Sequence, residues 1–409
     1  MHILFLTDNF PPEGNAPATR TFEHAREWVD KGHKVTVITC APNFPKGKVF
    51  PGYKNKLYQR EVVEGIKVLR VWTYISANEG FFKRTLDYIS FSVSSFLAAL
   101  FIKTDLIVAT SPHFFTALTG RSLSFWKRTP WVMEVRDLWP ESIKAVGAMK
   151  DNFLMRYFEW EELWCYRSAT KVITVTDAFK EHIINKGIAE RKIEVVKNGA
   201  NLKVFQPLPK DKELMRYLNL EGKTVLGYIG THGMAHKLDF LLDCAKELQK
   251  TNYHFLFLGD GAEKKKLIRK VTDEQITNVT MLDSVTKDKV CDYLSLLDVS
   301  IINLNKSDLF KTVIPSKIFE NAAMQIPILL GVDGESRGII EKYNAGLYYE
   351  PENKKDFLEK LDTITKENLK DYFQKGGEAL AKDFDRKKLA LLMLDELNAI
   401  SNLKEETVN

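Results

Sequence analysis

The sequence predicts an α/β protein built from two Rossmann-like, doubly wound parallel-sheet domains facing each other across a cleft. Three observations lead there. The chain has 409 residues, 44% hydrophobic and 28% charged, enough for two ordinary α/β domains and too much for one comfortable core. Short apolar runs alternate with helical periodicity, the pattern of βαβ units with right-handed crossovers. The pattern also restarts after residue 200, so the second half opens with the same strand, glycine loop, helix and strand as the first.

Taken in order, residues 3–6 of MHILFLTDNF form the first strand; with no basic leader, the segment reads as a strand and not a signal peptide. The polar loop TDNFPPEGNAPAT leads to a helix from about Arg20 to Lys31. Phe22, Ala25 and Val29 share one stripe of it, and Gly32 is placed to cap its end. KVTVIT at 34–39 closes the first βαβ unit, and further strands are expected at 106–109, 131–135 and 172–175. NGANLKVFQPLPK holds turn residues and two prolines and suits an interdomain linker. Beyond it come the strand TVLGYIG, the loop THGMAH, the helix LDFLLDCAKEL and the strand YHFLFLG. The expected domains are 1–200 and 201–384, with a C-terminal helix at about 385–405 packing back on the first.

YISFSVSSFLAALFI, residues 88–102, is apolar almost all round apart from its serines and is short for a membrane span. It reads either as a buried helix against the sheet or as a helix dipping into a bilayer face. Lys83, Arg84, Lys103, Arg121, Lys127 and Arg128 would support the second reading, near Phe125, Trp126 and Trp131. The net charge of +5 fits an anionic ligand or membrane surface and falls short of a nucleic-acid footprint. Cys40, Cys165, Cys244 and Cys291 are far apart, with no Cys-x-x-Cys pair or metal-spaced His cluster, and read as buried thiols of a reducing, cytosolic compartment.

Candidate chemistry gathers at strand ends of the second half. In GYIGTHGMAHK, Gly230 and Gly233 let a ligand approach the backbone, and Lys237 follows as a mobile cation suited to phosphate, or else as a solvated surface charge. LFLGDGAEKKKL supplies a second glycine turn, with Gly259 and Gly261 structural and Asp260 a possible helix cap. In IPSKIFENAAMQIPI, Pro315 pre-sets a turn, Ser316 is a good N-cap, and a helix begins near Lys317. Glu320, one turn in, either accepts hydrogen bonds from a ribose diol or is a surface carboxylate favoured by the helix dipole. An anionic ligand is expected at this helix start.

GTHGMAHK, FLGDGAEKKKL and PSKIFENAAMQIPIL stand in an order and spacing that resembles the family 4 retaining glycosyltransferases of the GT-B fold. The N-terminal LTDNFPPEGNAPATRTFEHAREWVDKGHKVTVIT and VRDLWPES resemble the bacterial subgroup that builds O-antigen and capsule repeat units, and are similar to N-acetyl-L-fucosamine transferases. The resemblance spans nearly the whole chain. It implies a metal-independent hexosyltransferase moving a sugar from a UDP-linked donor to a lipid-linked (polyprenyl diphosphate) saccharide, at the cytoplasmic face of the cell membrane by peripheral contact. No further cofactor is implied.

Carried over by position, the resemblance gives the diphosphate to Lys237 and the amides of Gly230, Thr231, His232 and Gly233, with Gly259 and Asp260 close by. Glu320 takes the ribose, while Ile314, Pro315, Ser316 and Lys317 line the pocket. The acceptor falls to Gly14, Asn15, Arg20 and Asp137, and the reaction region to Lys237 and Arg136; apart from the resemblance, His113, in TSPHFF at a strand end, is another candidate for the cleft or else a structural histidine. Three positions depart from the family. Thr312 stands where a Glu is usual, Thr231 where an Arg is common, and Arg136 where a His often lies. An arginine there steadies negative charge and is no base at neutral pH. The Asp-x-Asp at Asp383–Asp385 lies in the helical tail and carries no metal expectation. Two rivals share the architecture, a sugar-nucleotide epimerase and a non-catalytic sugar-nucleotide binder. The first would need acid–base carboxylates that the sequence does not offer. A nicotinamide enzyme is disfavoured, because no Gly-x-Gly-x-x-Gly follows a strand in either half.

Overall fold

The computed structural model describes residues 1–44, 46–75, 81–111, 114–141 and 153–408. It divides into two compact units, residues 1–197 with 386–409, and residues 198–385. The strands of the first unit are β1 (His2–Leu6), β2 (Lys34–Cys40), β3 (Tyr58–Val63), β4 (Ile66–Val71), β5 (Leu106–Thr110), β6 (Trp131–Val135), β7 (Lys171–Thr174) and β8 (Ile193–Val195). They form one eight-stranded sheet in the order β3-β4-β2-β1-β5-β6-β7-β8. Only β3 is antiparallel, turning back onto β4 through Glu64 and Gly65, both at positive φ. Ile3, Leu4, Phe5 and Leu6 are all buried, because helices on both faces of a parallel sheet require unbroken apolar strands. β1 lies between β2 and β5. Chain order reverses there, which opens a crevice at the carboxyl ends of those strands.

The first helix spans Ala16–Asp30, starting before the expected Arg20. Asn15 is its cap, its side chain accepting from the Ala18 N–H at 3.0 Å, and Pro17 sits in the first turn where no donor is needed. Its buried face is not the expected Phe22–Ala25–Val29 stripe. Ala25 and Trp28 are buried beside Arg20, Glu23, His24 and Glu27, while Phe22 and Val29 are half-buried. The C-terminal helix Arg386–Val408 belongs to the same unit and packs on this face. Arg386 pairs with Glu23, and the Trp28 indole N–H donates to the Ala390 carbonyl at 2.8 Å.

The apolar segment at 88–102 matches neither simple expectation. The helix Phe81–Ala99 buries Phe91, Ser95 and Ala99 but leaves Leu86, Ile89, Val93 and Leu97 exposed. Two of its serines turn inward: Ser95 is buried, and the Ser92 hydroxyl meets the Thr119 hydroxyl at 2.6 Å on the helix Phe114–Lys127. Two of the expected lipid-facing cations are engaged elsewhere. Arg121 pairs with Glu161, and the Lys127 ammonium donates to the carbonyls of Leu100 and Ile102, each at 2.9 Å. Among the described residues, no helix is long and apolar enough to cross a membrane.

The second unit contains β9 (Thr224–Ile229), β10 (Tyr253–Leu258), β11 (Val279–Leu282), β12 (Val299–Asn303), β13 (Ile328–Gly331) and β14 (Gly346–Tyr348). They form a six-stranded sheet in the order β11-β10-β9-β12-β13-β14, and every pairing is parallel. Leu226 of β9 sits between Phe255 of β10 and Val299 of β12. The reversal of order at β9 and β12 puts the loops after these two strands on either side of a second crevice. NGANLKVFQPLPK is packed structure here, not a free tether. Ala200 and Phe205 lie in this unit's core, and the Ala200 N–H donates to the Phe384 carbonyl at 3.1 Å.

Candidate functional site

Two glycine turns at the crevice of the second unit hold each other in place. β9 runs into Gly230 and β10 into Gly259, at φ +143° and +154°, backbone that a side chain would strain. A Cβ on Gly259 would lie 1.8 Å from the Gly230 carbonyl oxygen, and one on Gly261 would lie 2.4 Å from that of His232. The turns are also hydrogen-bonded. The His232 N–H donates to the Asp260 carbonyl and the Glu263 N–H to the His232 carbonyl, both at 2.9 Å. Tyr228, buried on β9, donates its hydroxyl to the Thr231 carbonyl at 2.8 Å. The Asp260 carboxylate accepts from the Gly261 N–H at 2.8 Å, so it shapes its own turn. The cap position of the next helix, Lys264–Asp273, is Glu263.

The space beside Gly230 is not left open for a ligand. Lys317 fills it: a Cβ on Gly230 would meet the Lys317 Nζ and Cε at 2.4 Å, and that Nζ stands 3.9 Å from the centre of the Tyr228 ring. Burial pulls the Lys317 amine down to about 7, with the Glu320 carboxylate opposing the shift. His232 is fully buried, with neither ring nitrogen hydrogen-bonded. Burial, then the charges of Lys264 and Lys317, bring it down to about 4; burial and Lys317 do the same to His236. Both rings are therefore neutral at physiological pH. One turn after Gly233, Lys237 occupies the cap of the helix Leu238–Glu247 at φ +47°, its Nζ 3.3 Å from an Asp239 carboxylate oxygen. That pair is more than a third exposed on both sides and is worth about 1 kcal/mol at most, so an arriving anion can draw the amine away.

The helix after β12 is Lys317–Ala323. Ser316 does not cap it with its side chain: its dihedrals are already helical (φ −58°, ψ −25°) and its hydroxyl makes no capping bond. Pro315 starts the turn one residue early, its carbonyl accepting from the Ile318 N–H at 3.1 Å. Ile314 is buried below, Pro315 and Ser316 are half-buried, and Glu320 follows one turn in, also half-buried. The Thr312 hydroxyl donates to the Leu309 carbonyl at 2.8 Å. Strand-end glycine turns, neutral imidazoles and the Lys317 amine meet at the carboxyl ends of β9 and β10, and Lys237 closes the loop that follows β9.

Residues 15–199 match the family described as "Glycosyl transferase 4-like domain", and residues 210–379 match "Glycosyl transferases group 1". The chain belongs to the GT-B glycosyltransferases. It is 26% identical over 331 residues to a protein of Escherichia coli named as a colanic acid biosynthesis glycosyl transferase, WcaI, covering 78% of this chain and 80% of that one. It is 24% identical to TuaH of Bacillus subtilis, named for teichuronic acid biosynthesis, over 64% of this chain and 65% of the other. Among solved structures, sucrose-phosphate synthase from Thermosynechococcus elongatus superimposes with a TM-score of 0.79 at 15% identity, covering 98% of this chain and 99% of that one. HepE of Anabaena, in complex with UDP and glucose, gives 0.72 at 16% identity, covering 98% and 100%.

In the N-terminal unit of this glycosyltransferase, Arg20 is not available to an acceptor. It is 2% exposed, and its nitrogens bond Glu134 at 2.8 Å and the carbonyls of Lys197 and Val196 at 2.8 and 2.9 Å. Arg20 was expected beside the acceptor; a partner 114 residues away draws it inward. Burial works to raise the Glu134 carboxyl, but Arg20 and Arg136 beside it bring it below the usual carboxylate range. Arg136, just past the end of β6, has its Nε and Nη1 buried without hydrogen-bond partners. Burial lowers it to about 10, so it stays charged at neutral pH. Its backbone N–H donates to the Ser111 hydroxyl at 2.8 Å. Asp137 is half-buried next to it, Gly14 is exposed, and Asn15 is committed to its helix cap. His113 lies outside the described residues.

Several charged residues here escaped the sequence reading. Glu134 is a single carboxylate in the apolar run WVMEV, a signal that was there to use. His24, pushed well below its ordinary value by burial and by Arg20, Arg386 and Arg136, has a buried Nε2 without a partner. Glu13, in the loop after β1, is raised to about 7, chiefly by burial, although its Oε1 accepts from the N–H groups of Asn43 and Phe44 at 2.7 and 2.8 Å. Among the described residues, no group of His, Cys, Asp and Glu is arranged to hold a metal ion.

Proposed function

We propose that this glycosyltransferase moves a hexosyl unit, an N-acetyl amino sugar of the N-acetyl-L-fucosamine type, from a UDP-linked donor to a lipid-linked saccharide, with retention of configuration and without a metal ion. The observation that carries the reading is the basic crevice of the second unit, where Lys317 and Lys237 flank the Gly230 turn and Glu320 follows on the adjoining helix. Support comes from HepE, whose structures contain UDP or UDP-glucose. WcaI and TuaH, named for colanic and teichuronic acid biosynthesis, support a role in making a bacterial surface polysaccharide such as O-antigen or capsule.

The leaving group is a nucleoside diphosphate, so charge grows on its outer phosphate as the glycosidic bond breaks. Lysine ammonium groups and the turn amides of Thr231 and Gly233 lower the barrier without a Lewis acid, whereas the Gly230 and His232 amides, expected to share that role, donate to the Leu258 and Asp260 carbonyls. The anomeric centre becomes oxocarbenium-like, and the departing phosphate takes the acceptor proton on the face it leaves. Lys237→Ala is expected to lower kcat by at least ~10-fold, and an unchanged kcat removes Lys237 from the chemistry. Glu320 takes the ribose hydroxyls, and Arg136 steadies the acceptor side.

A screen of UDP-, GDP- and dTDP-sugars against polyprenyl diphosphate saccharides, read by mass spectrometry, tests the reading. It expects a product one hexosyl unit heavier that forms only with acceptor present. Turnover of donor alone would make the protein an epimerase, and tight nucleotide binding without transfer to any acceptor would make it a silent binder.

Peripheral contact with the cytoplasmic membrane face is part of the same proposal. Val93, Leu97, Phe125 and Trp126 are 55%, 56%, 85% and 70% exposed on two packed helices, with Lys103 and Arg128 nearby in the chain. Aromatic and aliphatic side chains ringed by cations bind an anionic interface. Flotation with anionic liposomes is expected to carry the protein upward at low salt, and Leu97→Asp to weaken this. Protein that stays at the bottom of the gradient at low salt ends the membrane claim.

A further inference from the structure

We propose that a recess on the sheet of the first unit, at the end of the strands away from its crevice, holds the phosphate headgroup of an anionic membrane lipid. The inference rests on the membrane contact proposed above and gives that contact a site. The recess measures about 520 Å³, inside the span of about 300–1,000 Å³ usual for small-ligand sites. Its floor is the amino ends of β1, β2 and β4, where His2, Thr36 and Leu69 lie. The edge strand β3 borders it on one side. Phe101, Ile102 and Lys103, just past the helix Phe81–Ala99, border it on the other.

Charge selects the occupant. Lys34, Arg60, Lys67 and Lys103 line the recess, and none of them is in an ion pair among the described residues. Glu61 is the one carboxylate in the lining, and it is committed to Arg70 at 2.6 Å. Arg60 lies over the Tyr58 ring, 5.0 Å from its centre, at the edge of the hollow. Like charges gathered around one hollow repel one another until an anion sits among them. The apolar rim separates a lipid from a free phosphate. Val62 and Phe101, both in the lining, are 70% and 91% exposed. Phe101 also continues a line of exposed residues, Leu86, Ile89, Val93 and Leu97, at spacings of three and four along the preceding helix. A bilayer that meets this line reaches the mouth of the recess, at the level where lipid phosphates stand. A free phosphate gains nothing from the rim.

Cosedimentation at low salt with vesicles of phosphatidylglycerol in phosphatidylcholine tests the site. Wild-type protein is expected to partition with them and not with phosphatidylcholine alone. A lysine near an anionic surface contributes about fivefold, so Lys34→Gln/Lys67→Gln/Lys103→Gln should bind on the order of 100-fold more weakly. All three lysines are exposed, so the fold is kept. The charge-matched Lys212→Gln/Lys250→Gln/Lys355→Gln, at exposed positions of the second unit, should stay within about threefold of wild type. A fluorophore on Val62→Cys reads the recess itself, since the four native cysteines are buried and stay unlabelled. A spin label on the phosphatidylglycerol headgroup should quench it, and quench a fluorophore on Lys212→Cys far less. Equal effects of the two triple variants, equal binding to neutral vesicles, or equal quenching at the two positions overturns the headgroup site and leaves membrane contact standing. Wild-type protein that ignores anionic vesicles at low salt removes both.

Discussion

Arg20→Met is expected to lower the stability of the N-terminal unit by about 3 kcal/mol or more, and to leave the Michaelis constant for acceptor unchanged in the folded fraction. Arg20 and Glu134 form an ion pair at 2.8 Å with side chains 2% and 1% exposed. Breaking such a pair from one side strands a buried charge, at a cost of about 3–5 kcal/mol. The other two nitrogen contacts, to the carbonyls of Val196 and Lys197, tie the first helix to the last residues of this unit before the chain leaves it. Arg136 also neutralises Glu134, which places the effect near the lower end of that range. At about 2–4 °C per kcal/mol for a domain of this size, the thermal midpoint should fall by roughly 10 °C. Glu134→Gln in the Arg20→Met background should restore part of the loss, since the coupling belongs to the pair. An unchanged melting curve together with a raised acceptor constant would return Arg20 to the acceptor site.

The same residue shows how far the sequence could be read. Apolar periodicity found β1, β2, β5, β6, β7, β9 and β10, because strands buried on both faces are written as continuous apolar runs. The β3–β4 hairpin was passed over. β3 alternates half-buried with exposed residues at the sheet edge, and its turn, Glu64–Gly65, sits inside VVEGIK without a neighbouring Asn or Pro to mark it. β11 and β14 are short and mostly half-buried, and strands of that length carry little pattern.

Burial of charge was invisible for a different reason. Charged side chains on a helix ordinarily face solvent, and long-range pairing turns Arg20 and Glu23 inward. Lys317 follows the same rule. The motif PSKIFE made it a pocket residue, but its place beside Gly230 depends on how β9 and β12 reverse their order, which no local window contains. The glycines were more legible, because turns at strand ends need them for backbone reasons alone.

Gly259→Ala is expected to have the largest effect in the second unit, about 3 kcal/mol of stability and at least a tenfold loss of UDP affinity. The new methyl would point at the Gly230 carbonyl oxygen from 1.8 Å, and at the His232 Nε2 from 3.2 Å. A clash with backbone cannot be relieved by a rotamer change, so one strand-end turn must move. The backbone at φ +154° adds strain that alanine does not share with glycine. Whichever turn yields, Gly230 shifts against Lys317, and the recess that receives the anion loses its shape. Gly338→Ala is the matching control. A Cβ there meets nothing within 4 Å, and the residue is exposed in the helix Glu335–Tyr343. That substitution should stabilise the unit by about 0.5–1 kcal/mol. One chemical change, a single methyl, should therefore act with opposite sign at two sites in one domain, measured by urea unfolding. Equal and small effects at both would mean that the two turns are not held in contact, and that the crevice they shape is not preformed.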